Sequence, residues 1–343
     1  MTQEDNQHRI ETPGPLLGPD GTLTERGWAT DLILRYERER IRASALRMKE
    51  WDYYCILGSD YGVAFTVADN GYLGFVSVTV LDLRARTEET KTIMTAFPRG
   101  SFRMPPSSKT GDVIFRKGDL ELAFQKSSGR RTIRVEMPSF SGGLRGTIEL
   151  AQPEEMETMV IATPFSESRR AFYYNQKINC MPAAGELRFG SRTFAFDPAD
   201  SFGVLDWGRG VWSYSNRWYW GSASGRIGGS SFGFNVGYGF GDTAAASENM
   251  LFYQGRAHKL SRVEFHIPEP EYLKPWSFTS SDGRFEMDFF PLLDRFSDTN
   301  LLLLRSWQHQ VFGRFTGRAI LDDGTRFEIK ELLGFAEKVE NRW

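Results

Sequence analysis

The chain has 343 residues, 40 % of them hydrophobic, enough apolar material for a full core without disulfide staples. Its 42 Lys and Arg stand against 44 Asp and Glu, a net charge of -2, which excludes the basic footprint of a nucleic-acid or anionic-membrane binder. Cys55 and Cys180 form neither a disulfide framework nor a metal-ligand spacing, and they suit a reducing compartment.

The opening MTQEDNQHRIETPGPLLGPDG is acidic and polar, without the apolar core of a secretory signal. No apolar run reaches the length of a membrane span, roughly 18 residues, so a cytoplasmic location and no membrane span are expected. One long helix is expected over about residues 25–47, with Leu32, Tyr36 and Leu46 as its apolar stripe. From Trp51 onward the pattern is strand and turn. Aromatic residues (27 Phe, 12 Tyr, 9 Trp) suit strands, and the 34 glycines interrupt them. Asn70-Gly71, Lys117-Gly118, Ser128-Gly129, Gly190-Ser191, Gln254-Gly255, Asp282-Gly283 and Asp323-Gly324 read as hairpin connections. Trp51-Asp52-Tyr53 with Tyr72-Leu73-Gly74-Phe75 is echoed by Trp218-Tyr219-Trp220 with Tyr238-Gly239-Phe240. The expected organisation is therefore all-β, as sandwiches or barrels: a tail and helix over 1–48, a first β unit over 49–170 and a second over 171–343.

Candidate chemistry concentrates between Asp206 and Asn249. In Asp206-Trp207-Gly208-Arg209-Gly210 a carboxylate and a guanidinium stand three residues apart in a glycine-bounded string. They form either a polarising pair for a bound ligand or a local ion pair that shapes a turn. Trp212, Trp218 and Trp220 follow as candidate pocket walls. In Phe232-Gly-Phe-Asn-Val-Gly-Tyr-Gly-Phe-Gly241 alternation places the aromatics on one face and four glycines with Asn235 on the other. Either a ligand approaches that bare face, inside a barrel, or side chains of neighbouring strands fill it. Glu248, Asn249 and His258 join the candidate ligand-binding set.

The last hairpin yields a register. A three-residue loop, Asp322-Asp323-Gly324, sets Leu321 opposite Thr325, so Ala319 faces Phe327 and His309 faces Glu337. A histidine and a carboxylate on one apolar face form either an acid–base pair or a satisfied core ion pair, and a bulge at Gly334 would break the register beyond it. No zinc spacing, dinucleotide-binding loop or nucleophile elbow occurs, so no metal and no cofactor are expected.

The strings Lys49-Glu50-Trp51-Asp52-Tyr53-Tyr54, Asp206 to Trp212, Glu248-Asn249 with His258-Lys259-Leu260, and Gly334-Phe335-Ala336-Glu337-Lys338 through Trp343 resemble a microbial family described as domain of unknown function 2804. That family is similar to lipocalin-like two-barrel proteins, among them hydroxyneurosporene synthase, AttH-like proteins, tocopherol cyclase and fungal Diels-Alderases. The resemblance implies two calycin-type antiparallel barrels, a ligand site in or between them, and cofactor-independent acid–base chemistry on an apolar or polycyclic small molecule. Hydration, isomerisation or cyclisation is then expected, with His309 and Glu337 as acid–base pair and Asp206 with Arg209 as orienting pair. Two other classes stay open: a non-catalytic carrier of lipid or pigment, and a carbohydrate-active enzyme with paired carboxylates. The sequence does not set the oligomeric state.

Overall fold

The computed structural model describes residues 7–301 and 304–342, so Trp343 lies outside the described residues. Almost every regular element is a strand, and apart from one short parallel pair, Gly14–Pro15 with Leu34–Arg35, the strands form two large antiparallel sheets. The first runs, in spatial order, Thr87–Ala96, Leu73–Asp82, Tyr61–Asp69, Met48–Leu57, Phe202–Val211, Ser168–Phe189, Leu144–Ala151, Arg130–Met137, Leu120–Ser127 and Val113–Lys117. The second runs Arg256–Lys259, Met250–Tyr253, Ser230–Tyr238, Ser215–Ile227, Arg326–Arg342, Leu304–Ile320, Phe285–Leu301, Trp276–Ser280 and Val263–His266. Each curls around a separate core: Phe65, Phe124, Ile148, Tyr174 and Trp207 fill the first barrel, and Phe234, Phe278, Phe289 and Phe315 the second. Among the described residues no helix is long and apolar enough to cross a membrane.

The chain changes sheets between Val211 and Ser215, not near residue 170 as the sequence implied. The reason is one 22-residue strand, Ser168–Phe189, that stays in the first sheet throughout and pairs with Phe202–Val211. A bulge at Asn179 and Cys180, with Cys180 at φ 60°, turns part of that strand toward the second sheet. There the Asn179 amide donates to Ser222 Oγ (2.8 Å) and to the Phe234 carbonyl (2.9 Å).

The expected helix over 25–47 does not form. That segment holds two short strands, Gly27–Ala29 and Leu34–Arg35, and two single turns of 3₁₀ helix, Arg38–Arg40 and Ala45–Arg47. Long-range partners hold it extended against the first sheet. Tyr36 Oη (2.8 Å) and the Arg38 guanidinium both donate to Glu50, which is buried on the Met48–Leu57 strand. Tyr36 is buried and Leu46 exposed, so the expected stripe has no common face.

Cys55 and Cys180 are both buried and unbridged, and burial pushes each thiol up to about 12. Because the thiolate is the reactive form, neither should react with Ellman's reagent in the native protein at neutral pH. Both should react in denaturant, and prompt labelling of native protein would contradict this packing.

Candidate active site between the barrels

The two sheets meet through their outer faces, and a polar layer is enclosed there. Alternation on three strands builds it. On Ser168–Phe189, Phe172, Tyr174 and Ile178 point into the first barrel, whereas Tyr173, Asn175 and Lys177 point toward the second sheet. On Phe202–Val211, Leu205, Trp207 and Val211 point inward, and Asp206, Gly208 and Gly210 present the outward face. On the second sheet Trp218, Trp220, Asn235 and Glu337 lie on faces turned away from that barrel's own core.

Lys177 Nζ sits 2.9 Å from Asp206 Oδ2 and 3.7 Å from the centroid of the Trp220 ring. Asp206 also accepts from the Asn175 amide at 2.6 Å. Glu337 is 3 % exposed. Trp218 Nε1 donates to its Oε1 (2.7 Å) and Gln310 Nε2 to its Oε2 (2.8 Å), while Tyr53 Oη donates to Gln310 Oε1 (3.2 Å). Burial pushes the Glu337 carboxyl up to about 7; the Trp218 hydrogen bond and the Lys177 charge hold it down, and Asp206 adds to the rise. Glu248 is likewise raised by burial and restrained by Lys177. Its Oε2 accepts from Asn235 Nδ2 (3.3 Å), and Asn235 Oδ1 accepts from Trp220 Nε1 (2.7 Å). Burial, and after it the charges of Glu248, Asp206 and Glu337, raise the Tyr173 hydroxyl far above its usual value.

An aromatic wall adjoins this cluster. Trp51 stacks on Tyr173 (5.9 Å) and meets the edge of Trp212 (4.9 Å), and Phe240 contacts Tyr173 (4.7 Å), Trp212 (4.7 Å) and Trp218 (5.3 Å). The glycines of the Asp206–Trp212 string make room for it, since a Cβ on Gly208 would lie 1.8 Å from the Trp51 ring. Trp51, Asp206 and Trp218 are half-buried, so the layer reaches solvent on that side.

Seven of the residues singled out in the sequence therefore converge: Asp206, Trp212, Trp218, Trp220, Asn235, Glu248 and Glu337. The glycine face of the Ser230–Tyr238 strand lines this layer rather than a barrel lumen. Cys180 Sγ lies over Gly233, Glu248 over Gly237, and Trp220 bonds Asn235, so neighbouring side chains fill the bare face.

Four residues fall elsewhere. Arg209 points into the first barrel, 0 % exposed, and pairs with Asp52 (2.9 Å), so Asp206 and Arg209 are on opposite faces and form no pair. His309 does not oppose Glu337: it stands across from Lys338, and Gln310 across from Glu337. Near the turn the expected register holds, with Ala319 opposite Phe327 and Leu321 N bonded to the Thr325 carbonyl. The bulge, however, comes at Lys330 and Glu331, with Glu331 at φ 51°, and one extra residue reverses every face beyond it. His258 lies beside Asp322 (3.4 Å), and Asn249 anchors a hairpin by accepting from Gly237 N and donating to the Ser261 carbonyl. Lys177, Tyr173, Asn175 and Gln310 were not singled out. Tyr173-x-Asn175-x-Lys177-x-Asn179 is a polar alternate face whose intervening positions are Tyr174, Gln176 and Ile178, and the polar Gln176 weakens the alternation as a signal.

A family model described as a domain of unknown function (DUF2804) matches residues 7–343. No curated protein matches the sequence. Among solved structures, a putative AttH from Nitrosomonas europaea is 13 % identical, with a TM-score of 0.53 over 88 % of this chain and 94 % of that one. Kievitone hydratase from Nectria haematococca is 11 % identical, with a TM-score of 0.50 over 96 % and 98 %. CghA is 10 % identical, with a TM-score of 0.52 over 99 % and 97 %. At these identities the likeness shows the fold, a lipocalin-like pair of barrels.

Proposed function

On the premise that this chain belongs to the DUF2804 family and has the lipocalin-like two-barrel fold, we propose that it is an acid–base enzyme acting on an apolar small molecule in the layer between the barrels. The observation that carries this reading is the buried Glu337 carboxyl, titrating near 7 between two fixed donors. A neutral carboxyl there delivers a proton, and Trp218 Nε1 and Gln310 Nε2 already point at the carboxylate that remains, so no reorganisation is needed as charge develops. The opposite role falls to Asp206, positioned by Lys177 and Asn175 to accept a proton from water or from the substrate. Trp51, Trp212, Trp218 and Phe240 offer ring faces to a cation formed by protonating an alkene. The named hydratase among the similar structures is compatible with such chemistry, and so are isomerisation and cyclisation.

Burial and aromatic walls favour an apolar substrate over a polyhydroxylated one. Native mass spectrometry of freshly purified protein, followed by incubation with the co-purifying compound or a panel of apolar alkenes, tests the assignment. Wild-type protein should add the mass of water or convert the compound to an isomer, and Glu337→Gln should bind it without converting it. Ligand released unchanged by the wild type would instead establish a carrier.

A further inference from the structure

His309, displaced from the site above by the bulge, lies in a second constellation at the mouth of the second barrel. Its Nδ1 is 2.6 Å from Asp294 Oδ2, and with a carboxylate acceptor there Nδ1 carries the proton and Nε2 the lone pair. Nε2 has no hydrogen-bond partner among the described residues. Tyr272 stacks on one face of the imidazole (3.7 Å, 10° between planes), Phe296 covers it at 4.6 Å, and the Trp307 edge stands at 4.5 Å. With its faces covered, only the edge of the imidazole is left for a ligand. The rim is apolar and open: Phe296 is 50 % exposed, as is Leu273, next in sequence to Tyr272, at 59 %. Asp294 Oδ1 is buried without a partner. Directly across the strand pair from His309 stands Lys338, bonded to Glu269 (2.7 Å) and 5.4 Å from the Trp307 ring centroid.

A carboxylate-backed imidazole is a base whose unpartnered nitrogen accepts a proton, and its aromatic frame suits a flat apolar ring. We propose that the mouth of the second barrel is a separate binding site for a weakly acidic aromatic hydroxyl compound, a phenol, with His309 as proton acceptor and Asp294 as its positioning residue. The phenolic O–H bond breaks and an N–H bond forms at His309 Nε2. Asp294 holds the resulting imidazolium, and the phenolate oxygen stays beside it. This site is independent of Glu337, which lies on the opposite face of the same sheet.

The probe is 4-nitrophenol, added to the full-length protein at a pH where the free compound is protonated and followed by its phenolate absorption band. Wild-type protein should develop the band saturably. Asp294→Asn should still bind the probe, seen by equilibrium dialysis, but lose the band, because the weakened imidazole no longer takes the proton. His309→Gln should lose affinity by roughly tenfold or more, with unchanged far-ultraviolet circular dichroism establishing that it is folded. The proposal is overturned by absence of saturable binding to the wild type. It is equally overturned by an undiminished band in His309→Gln, or by loss of the band in Glu337→Gln, which would place the probe between the barrels.

Discussion

Wild-type protein is expected to lose stability as the pH rises from about 4.5 to about 7, and Glu337→Gln is expected to lose less over the same interval. The unfolded chain releases the Glu337 proton near the ordinary value of 4.5, whereas burial holds it in the folded state up to about 7. A folded-state value raised in this way gives stability that is complete below the unfolded value and lost as the pH climbs through the folded one. The gap of 2.5 (7 minus 4.5) corresponds to an effect on the order of 3 kcal/mol. Asp52 and Glu248 are also raised by burial and tilt both proteins alike, so the difference between wild type and variant isolates Glu337. Lys49 and Lys259, drawn down to about 7 by burial, act above the window, their burial cost easing from about 7 toward 10.5. Urea unfolding of both proteins at pH 5 and pH 8 measures the effect, and parallel losses would remove Glu337 from the role assigned to it. If the same carboxyl is the catalytic acid, the turnover rate falls as the pH passes through about 7, where the folded protein gives up this proton.

The strand pattern, the C-terminal turn and the shape of the site region were legible because each depends on local chemistry. Period-two alternation marks the Ser230–Tyr238 strand, and Asp323-Gly324 marks a left-handed turn position that Gly324 occupies at φ 85°. What was not legible depends on partners distant in sequence. The expected helix is held extended by Glu50 on another strand. The register was lost at Glu331, which adopts a left-handed conformation that glycine would have announced and glutamate does not. Lys177 carries no mark in the sequence, since a lone lysine in a strand is ordinarily solvent-facing. Its burial follows from a second sheet laid over that face, a fact of assembly rather than of spacing. Within the Asp206–Trp212 string Asp206 points outward against Lys177 and Arg209 inward against Asp52, as strand geometry requires of positions three apart.

Replacing Arg209 by leucine is therefore expected to act on the fold rather than on ligand binding, and severely. Arg209 donates to the carbonyls of Trp51 (2.9 Å), Gly208 (2.8 Å) and Pro105 (2.8 Å) as well as to Asp52, and its guanidinium lies 4.3 Å from the Trp207 ring centroid. Leucine leaves Asp52 buried without its cation, a change that costs roughly 3–5 kcal/mol. Asp52 is already raised by burial and held down by Arg209, so its removal raises Asp52 further. By the same sign argument, the deficit relative to wild type should shrink at acid pH, where Asp52 is protonated in both states, and grow toward neutrality. Adding Asp52→Asn should abolish that pH-dependent part. It should not restore what the carbonyls of Trp51, Gly208 and Pro105 lose, so the double variant remains less stable than wild type. Urea denaturation of the two single variants and the double variant across the acid range separates these contributions. Arg209→Leu with wild-type stability and impaired ligand binding would return Arg209 to the ligand-orienting role that its place in the string first implied.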